Sequence, residues 1–241
     1  RKTIESHRQP PSRADVLVAA SDRVEPFRHA WQGRGMQLFE SAEVRWFFPD
    51  GDARVPALVA WFSSVKAEEP RVDRYLRRAR SDLGLKLRGA KPSSADLKLE
   101  AKFLVASPGA IELGRVRGRV ERWRKVAFTV ASSSLEDDGA WLAIEKERRA
   151  RRWALAGGAA REVSGGALES GCNAELTALC AIDGDRRRRA WTLGLEAFGR
   201  EDALLQTLEE SARALFSEQP SLTIGSDRAA SYPSWIAAAN A

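Results

Sequence analysis

Residues 97–103 alternate without exception, with Leu97, Leu99, Ala101 and Phe103 on one parity and Lys98, Glu100 and Lys102 on the other. Successive side chains of a strand point to opposite faces, so this segment must present one apolar face and one wholly charged face. Residues 83–88 repeat the pattern, setting Leu83, Leu85 and Leu87 against Lys86 and Arg88. The stretch between them, 89–95, contains Gly89, Pro92, Ser93 and Ser94, a turn composition that predicts a hairpin.

Similar signals recur along the chain. Glu43-Val-Arg-Trp-Phe-Phe48 reads as a strand closed by the turn Pro49-Asp-Gly-Asp52, and 55–66 as a short amphipathic helix. Residues 115–130 carry two basic stretches, the second ending in an apolar run around Val126 and Phe128. Turn signals at 136–139 and Gly157-Gly158 favour a strand over 141–153, its charged face being either Glu145, Glu147 and Arg149 or Lys146 and Arg148. The Gly/Ala/Ser-rich 156–171 reads as a loop, and 174–179 with 190–198 as a second hairpin across Asp183-Gly184-Asp185. Residues 201–217 give the clearest helix, apolar at 204, 205, 208, 212, 215 and 216. Residues 1–12 read as a polar arm, and 13–32 carry a modest helical pattern (Val16, Val18, Val24, Phe27, Trp31) broken by Pro26. The expected organisation is an N-terminal extension over 1–40 and a β-rich body over 41–220. A tail over 221–241 follows, its Tyr232-Pro-Ser-Trp235 packing back on the body. The fold class is α+β, an antiparallel sheet flanked by helices.

Composition narrows the function classes. At 241 residues, 44% hydrophobic and 30% charged, the chain can bury a substantial core, and no apolar run approaches the roughly 18 residues of a membrane helix. The two cysteines, Cys172 and Cys180, match no metal or redox spacing. On one strand they would stand roughly 26 Å apart, beyond disulfide reach. Two reduced thiols and no signal-peptide pattern lead to a cytoplasmic expectation with no membrane partner. His7 and His29 both lie near the N-terminus, so the rest of the chain has no His for a Ser-His-Asp triad, a Cys-His pair or a His-rich zinc site. A net charge of +6 favours an anionic partner.

The charged strand face admits two readings: a sheet wet on one side, or a sheet that curls to place its charges in an enclosed groove or lumen. In a lumen, Lys and Arg would grip phosphate oxygens while carboxylates held a divalent metal. The recurrence of charges on nearly every expected strand favours the second.

The motif order resembles the CYTH superfamily, the triphosphate tunnel metalloenzymes. Those proteins open on a Glu-x-Glu-x-Lys strand, continue with an Arg-x-Arg strand and a Lys-ended strand, and finish on a Glu-x-Glu strand. Here Glu43 and Arg45 match the end of the first motif, Lys86-Leu-Arg88 the second, and Lys98 or Lys102 the next lysine. Lys146-Glu-Arg148 is similar to the later basic strand, and Glu175 and Glu196 fall where late acidic ligands stand. The resemblance implies a sheet curled into a tunnel or barrel that binds a polyphosphate or nucleotide. Arg45, Lys86, Arg88, Lys98, Lys102, Lys146 and Arg148 would clamp the anion, while Glu43, Glu175 and Glu196 would hold Mg²⁺ or Mn²⁺ for triphosphate hydrolysis. Ser41 replaces the first Glu, Glu40 has the opposite parity, and Gly194 stands where another late Glu is expected. Each change removes a metal ligand, so an anion-binding cavity is expected ahead of a hydrolase. The alternative is a non-enzymatic module that offers its basic surface to nucleic acid or a protein partner. Its best candidate is the stretch 115–125 with Trp123, although a basic edge strand is the preferred reading there. Arg186 to Arg189 read as a solvated turn, and Trp46, Trp61, Trp141, Trp153 and Trp191 as packing residues. Asp73 and Tyr75 precede the Lys/Arg strand and are read equally as residues that orient it or as a loop position with no role.

Overall fold

The computed structural model describes residues 37–77, 80–88, 96–131, 139–165 and 168–239. Among these residues are nine strands: β1 (Gln37–Pro49), β2 (Arg71–Leu76), β3 (Leu83–Arg88), β4 (Asp96–Leu113), β5 (Val116–Ala131), β6 (Trp141–Ala156), β7 (Ala159–Glu162), β8 (Gly171–Asp183) and β9 (Arg186–Phe198). Three helices join them: α1 (Val55–Trp61), α2 (Leu204–Ser217) and α3 (Tyr232–Ala239). The sheet runs β2-β3-β4-β5-β1-β9-β8-β6-β7, and a further β2–β6 pairing closes its first eight strands into an antiparallel barrel, with β7 as an extra strand on β6. Closure removes the exposed strand edges of an open sheet.

Register fixes which face is inside. Glu43 and Arg45 lie opposite Glu196 and Gly194, and Gly194 lies opposite Glu175. On the other wall Lys86 pairs with Glu100, and Lys102 with Lys125. Directly opposed residues share a face, so these charged residues of β1, β3, β4, β5, β8 and β9 point into the lumen.

On β1, β8 and β9 the apolar parity points outward and is covered, whereas Phe103 of β4 and Phe128 of β5 on the outer face are exposed. Ala42, Val44, Trp46 and Phe48 of β1, Leu176 of β8 and Leu193 and Leu195 of β9 pack beneath α2. Buried Leu204, Leu208, Ala212 and Leu215 lie along one stripe of that helix, at the spacing its 3.6-residue period requires. Trp46 meets Phe216 edge-on at 5.7 Å, and its indole N–H donates to the Arg117 carbonyl at 2.7 Å. Each such large side chain removed from water is worth about 1.5–3 kcal/mol.

The C-terminal segment shapes the interior. Ile224 bridges Val116, Ala229 bridges Trp46, and the Ala230 N–H donates to the Arg45 carbonyl at 3.0 Å. The chain then turns inward as α3. Ile236, Tyr232 and Trp235 pack on Phe47, Tyr75, Leu142, Ile144, Leu179, Ala181 and Ala190, all of lumen-facing parity. Phe47 stacks on Trp235 at 5.1 Å, and Tyr75 on Tyr232 at 5.5 Å. One end of the lumen is therefore an apolar plug.

Several expectations are corrected. The region 156–171, read as loop, contains β7 paired with Trp153 to Ala156. Asp73 and Tyr75 do not lie in a loop but in β2, where they help close the barrel and Tyr75 pairs with Lys86 of the Lys/Arg strand. The basic stretch 115–125 forms part of a wall strand between β4 and β1, not an edge. Arg186 to Arg189 are not a turn but the start of β9. The end of the tail, to which the sequence assigned no secondary structure, is helical. Cys172 and Cys180 are free thiols on β8, as the spacing predicts. The turn at 89–95 and the helical pattern at 13–32 lie outside the described residues. Among the described residues, no helix is long and apolar enough to cross a membrane.

Candidate functional site: a charged barrel lumen

The lumen opens into a cavity of about 1050 Å³, counting the space continuous with solvent. Nine Lys and Arg side chains and five carboxylates line it among the described residues. Unlike charges on a wet outer face, these are held in fixed pairs inside the protein.

Arg45 is the central cation, 8% exposed. Arg45, Gly194 and Glu175 form one row across β1, β9 and β8. Because the middle position has no side chain, the guanidinium lies across β9. Nη2 reaches Glu175 Oε2 at 3.3 Å, and Nη1 donates to Thr192 Oγ1 at 2.7 Å. A Cβ on residue 194 would fall 2.5 Å from Arg45 Cζ. Gly194→Ala is therefore expected to cost about 1–3 kcal/mol in urea unfolding, the range for overpacking a filled site. A neutral result would show that Arg45 readily lies elsewhere.

Glu175 accepts from Arg148 Nη1 through its second oxygen. Arg148 also forks onto Glu68, with Nε to Oε2 at 2.9 Å and Nη2 to Oε1 at 2.7 Å. Glu100 sits between Lys86 at 2.8 Å and Arg88 at 3.3 Å. Asp73 sits between Lys146 at 3.4 Å and Arg71 at 3.5 Å. Glu43 accepts from Ser41 Oγ at 2.7 Å and from Lys102 Nζ at 2.5 Å. Most carboxylates thus bridge two donors. An ammonium has three N–H donors and a guanidinium five, so these cations carry more donors than their carboxylates use.

The titration of the groups reflects the pairing. Burial pushes Glu100 up, but Lys86 first and then Lys125 and Arg88 outweigh it and hold its carboxyl at about 2. Burial likewise raises Glu43 and Glu175. Lys102 and Arg45 bring Glu43 below its ordinary value, and Arg148 and Arg45 do the same for Glu175. Glu196 is the exception. Burial raises it, Glu43 directly across the strand raises it further, and Lys125 at 3.9 Å offsets this only in part. Lys146 is lowered by burial despite Tyr75 and Asp73. It donates to Tyr75 Oη at 2.5 Å and lies 3.9 Å from the Tyr232 ring centroid.

Of the residues anticipated from sequence, Glu43, Arg45, Lys86, Arg88, Lys102, Lys146, Arg148, Glu175 and Glu196 line this one cavity. Lys98 has the lumen parity but stands farther along β4, opposite Arg88 and Thr129, and is not among the lining residues. Sequence reasoning missed Arg71 of β2, Arg119, Glu121 and Lys125 of β5, and Tyr232 of α3 as lining residues, and named Tyr75 of β2 only as a neighbour of the Lys/Arg strand. Arg71-Val-Asp-Arg-Tyr-Leu76 does put Arg71, Asp73 and Tyr75 on one parity, a signal short enough to pass for loop. Trp123 is fully buried, with its indole N–H on Glu121 Oε2 at 3.1 Å, so it is not a surface for stacking bases.

The implied Mg²⁺ or Mn²⁺ site does not fit these residues. Among the described residues, no group of three acidic, His or Cys side chains is arranged to hold a metal. Glu43 and Glu175 each spend both oxygens on protein donors, leaving Glu196 as the one expected ligand without a close cation.

No family model matches the chain, and no curated protein does. Among solved structures, it is similar to a chain of the Schizosaccharomyces pombe Mediator head module at 7% identity and a TM-score of 0.42. That match covers 77% of this chain and 96% of the other, a likeness that carries no argument about function.

Proposed function

We propose that the barrel is an anion receptor whose lumen takes a polyphosphorylated or other anionic small molecule, in the manner of a divergent CYTH-like tunnel. The observation that supports this most is the excess of four positive charges among the groups lining one cavity. Charges this deep are costly to bury unless paired. Asp73 and Glu68, behind the lining, pair with Lys146, Arg71 and Arg148, and the positive excess that remains leaves a lumen that gains from a multivalent anion. Lys86, Arg88 and Lys102 are each about a quarter to two-fifths exposed, so solvent and ligand can reach them. The apolar plug around Tyr232 closes one end and limits the anion to a compact one.

Tripolyphosphate added to the full chain is the test. The expected result is a rise in melting temperature that saturates with concentration, because a ligand bound only to the native state stabilises by mass action. No shift with tripolyphosphate, pyrophosphate or nucleoside triphosphate would overturn the reading. Phosphate release in the same samples reports turnover separately. The occupied carboxylates favour binding without it.

A further inference from the structure

We infer that the lumen binds its anion without a divalent metal, its carboxylates serving to position cations rather than to coordinate an ion. This rests on the anion-receptor reading above. A hard cation such as Mg²⁺ requires oxygen ligands at about 2.0–2.1 Å in near-octahedral geometry, usually one or two carboxylates plus ligand phosphates. Here both oxygens of Glu43 and of Glu175 already accept from protein donors. Glu43 binds Ser41 and Lys102, Glu175 binds Arg45 and Arg148, and Glu100 lies between Lys86 and Arg88. Metal entry would have to break these pairs. It would strand the buried Arg45 guanidinium or the partly exposed Lys102 ammonium and add two charges to a lumen already in positive excess.

The two positions where a carboxylate was expected explain how the arrangement arose. Ser41 gives a hydroxyl that donates to the neighbouring Glu43. Gly194 leaves the gap through which the Arg45 guanidinium reaches Glu175. Each replacement removes a negative charge and brings a donor to a remaining carboxylate. Arg45 thus supplies from the protein the positive charge that a bound ion would supply at this depth. Glu196 keeps an oxygen within reach of the lumen, but one carboxylate facing Lys125 is a poor site for an ion.

The experiment is calorimetric titration of tripolyphosphate into the full chain, once in excess EDTA and once with Mg²⁺. A parallel arm follows Mn²⁺ alone by its solution EPR signal as protein is added. The expected result is tripolyphosphate affinity in EDTA equal to or better than that with Mg²⁺, and an undiminished free Mn²⁺ signal. Mg²⁺ complexes the ligand in solution, so a modest weakening in its presence agrees with the inference. Binding seen only with Mg²⁺, a tenfold or greater gain from it, or stoichiometric capture of Mn²⁺ would overturn the inference while leaving the anion receptor standing. No binding in either buffer would remove the receptor reading, and this inference with it.

Discussion

Arg45→Met is expected to lower the unfolding free energy by about 3–5 kcal/mol at pH 7, the cost of removing one partner from a buried ion pair. The size follows from what the guanidinium touches. It is inserted between strands, donates to Thr192, pairs with Glu175 and lies 5.1 Å from the Tyr232 ring. Methionine fills much of the volume but leaves Glu175 with Arg148 alone and removes a charge that favours ionised Glu43. Glu175 has its pKa lowered in the intact barrel, so the stability it contributes is present above its ordinary value near 4.5 and is lost as pH falls through the native value. The penalty of the substitution should therefore shrink in urea titrations below about pH 4.5. A loss under about 1 kcal/mol at pH 7 would mean that water reaches Glu175 and that the lumen is not built on this pair.

How much of this could be read from the chain depends on which residues fixed a parity. Residues 83–88 and 97–103 alternate so strictly that only one face could be charged, and Lys86, Arg88, Glu100 and Lys102 do line the cavity. Residues 145–149 carry charge on both parities. There the resemblance, not the alternation, singled out Lys146 and Arg148, and register puts both on the lumen face, since Arg148 lies opposite Thr177 and Lys146 opposite Arg71. The same ambiguity hid Arg119, Glu121 and Lys125, whose neighbours Arg122 and Arg124 bind Glu40 on the outside. Barrel closure is a long-range event: β2 and β6 meet across some 70 residues, and nothing local in Arg71 to Leu76 announces it. The tail was legible as something that packs back, but its role as a plug depends on the apolar pocket that Phe47, Leu142 and Ile144 form only once the barrel exists. Gly194 was visible as a missing carboxylate. What it makes room for was not, because Arg45 is 149 positions away in the chain.

Glu196→Gln is expected to tighten tripolyphosphate binding about tenfold or more at pH 8. Glu196 is partly buried, its side chain about a quarter exposed, lies directly across from Glu43, and has its pKa raised by desolvation and by that neighbour. When ionised it opposes the entering anion. At an effective dielectric of about 20, a single charge near the ligand is worth on the order of 1–3 kcal/mol, or roughly ten- to a hundredfold in affinity. The amide keeps the shape and removes the charge. Protonation does the same in the parent chain, so parent affinity should rise as pH falls through the native value of Glu196, while the variant lacks that step. A raised carboxyl pKa also contributes stability that is present below its ordinary value and lost as pH rises through the native one. The variant should therefore be the more stable of the two at alkaline pH. Comparing the two proteins at each pH cancels the ligand's own protonation. Equal affinities across the whole range would mean that Glu196 does not face the bound anion, and that the anion sits toward Lys86 and Arg88 instead.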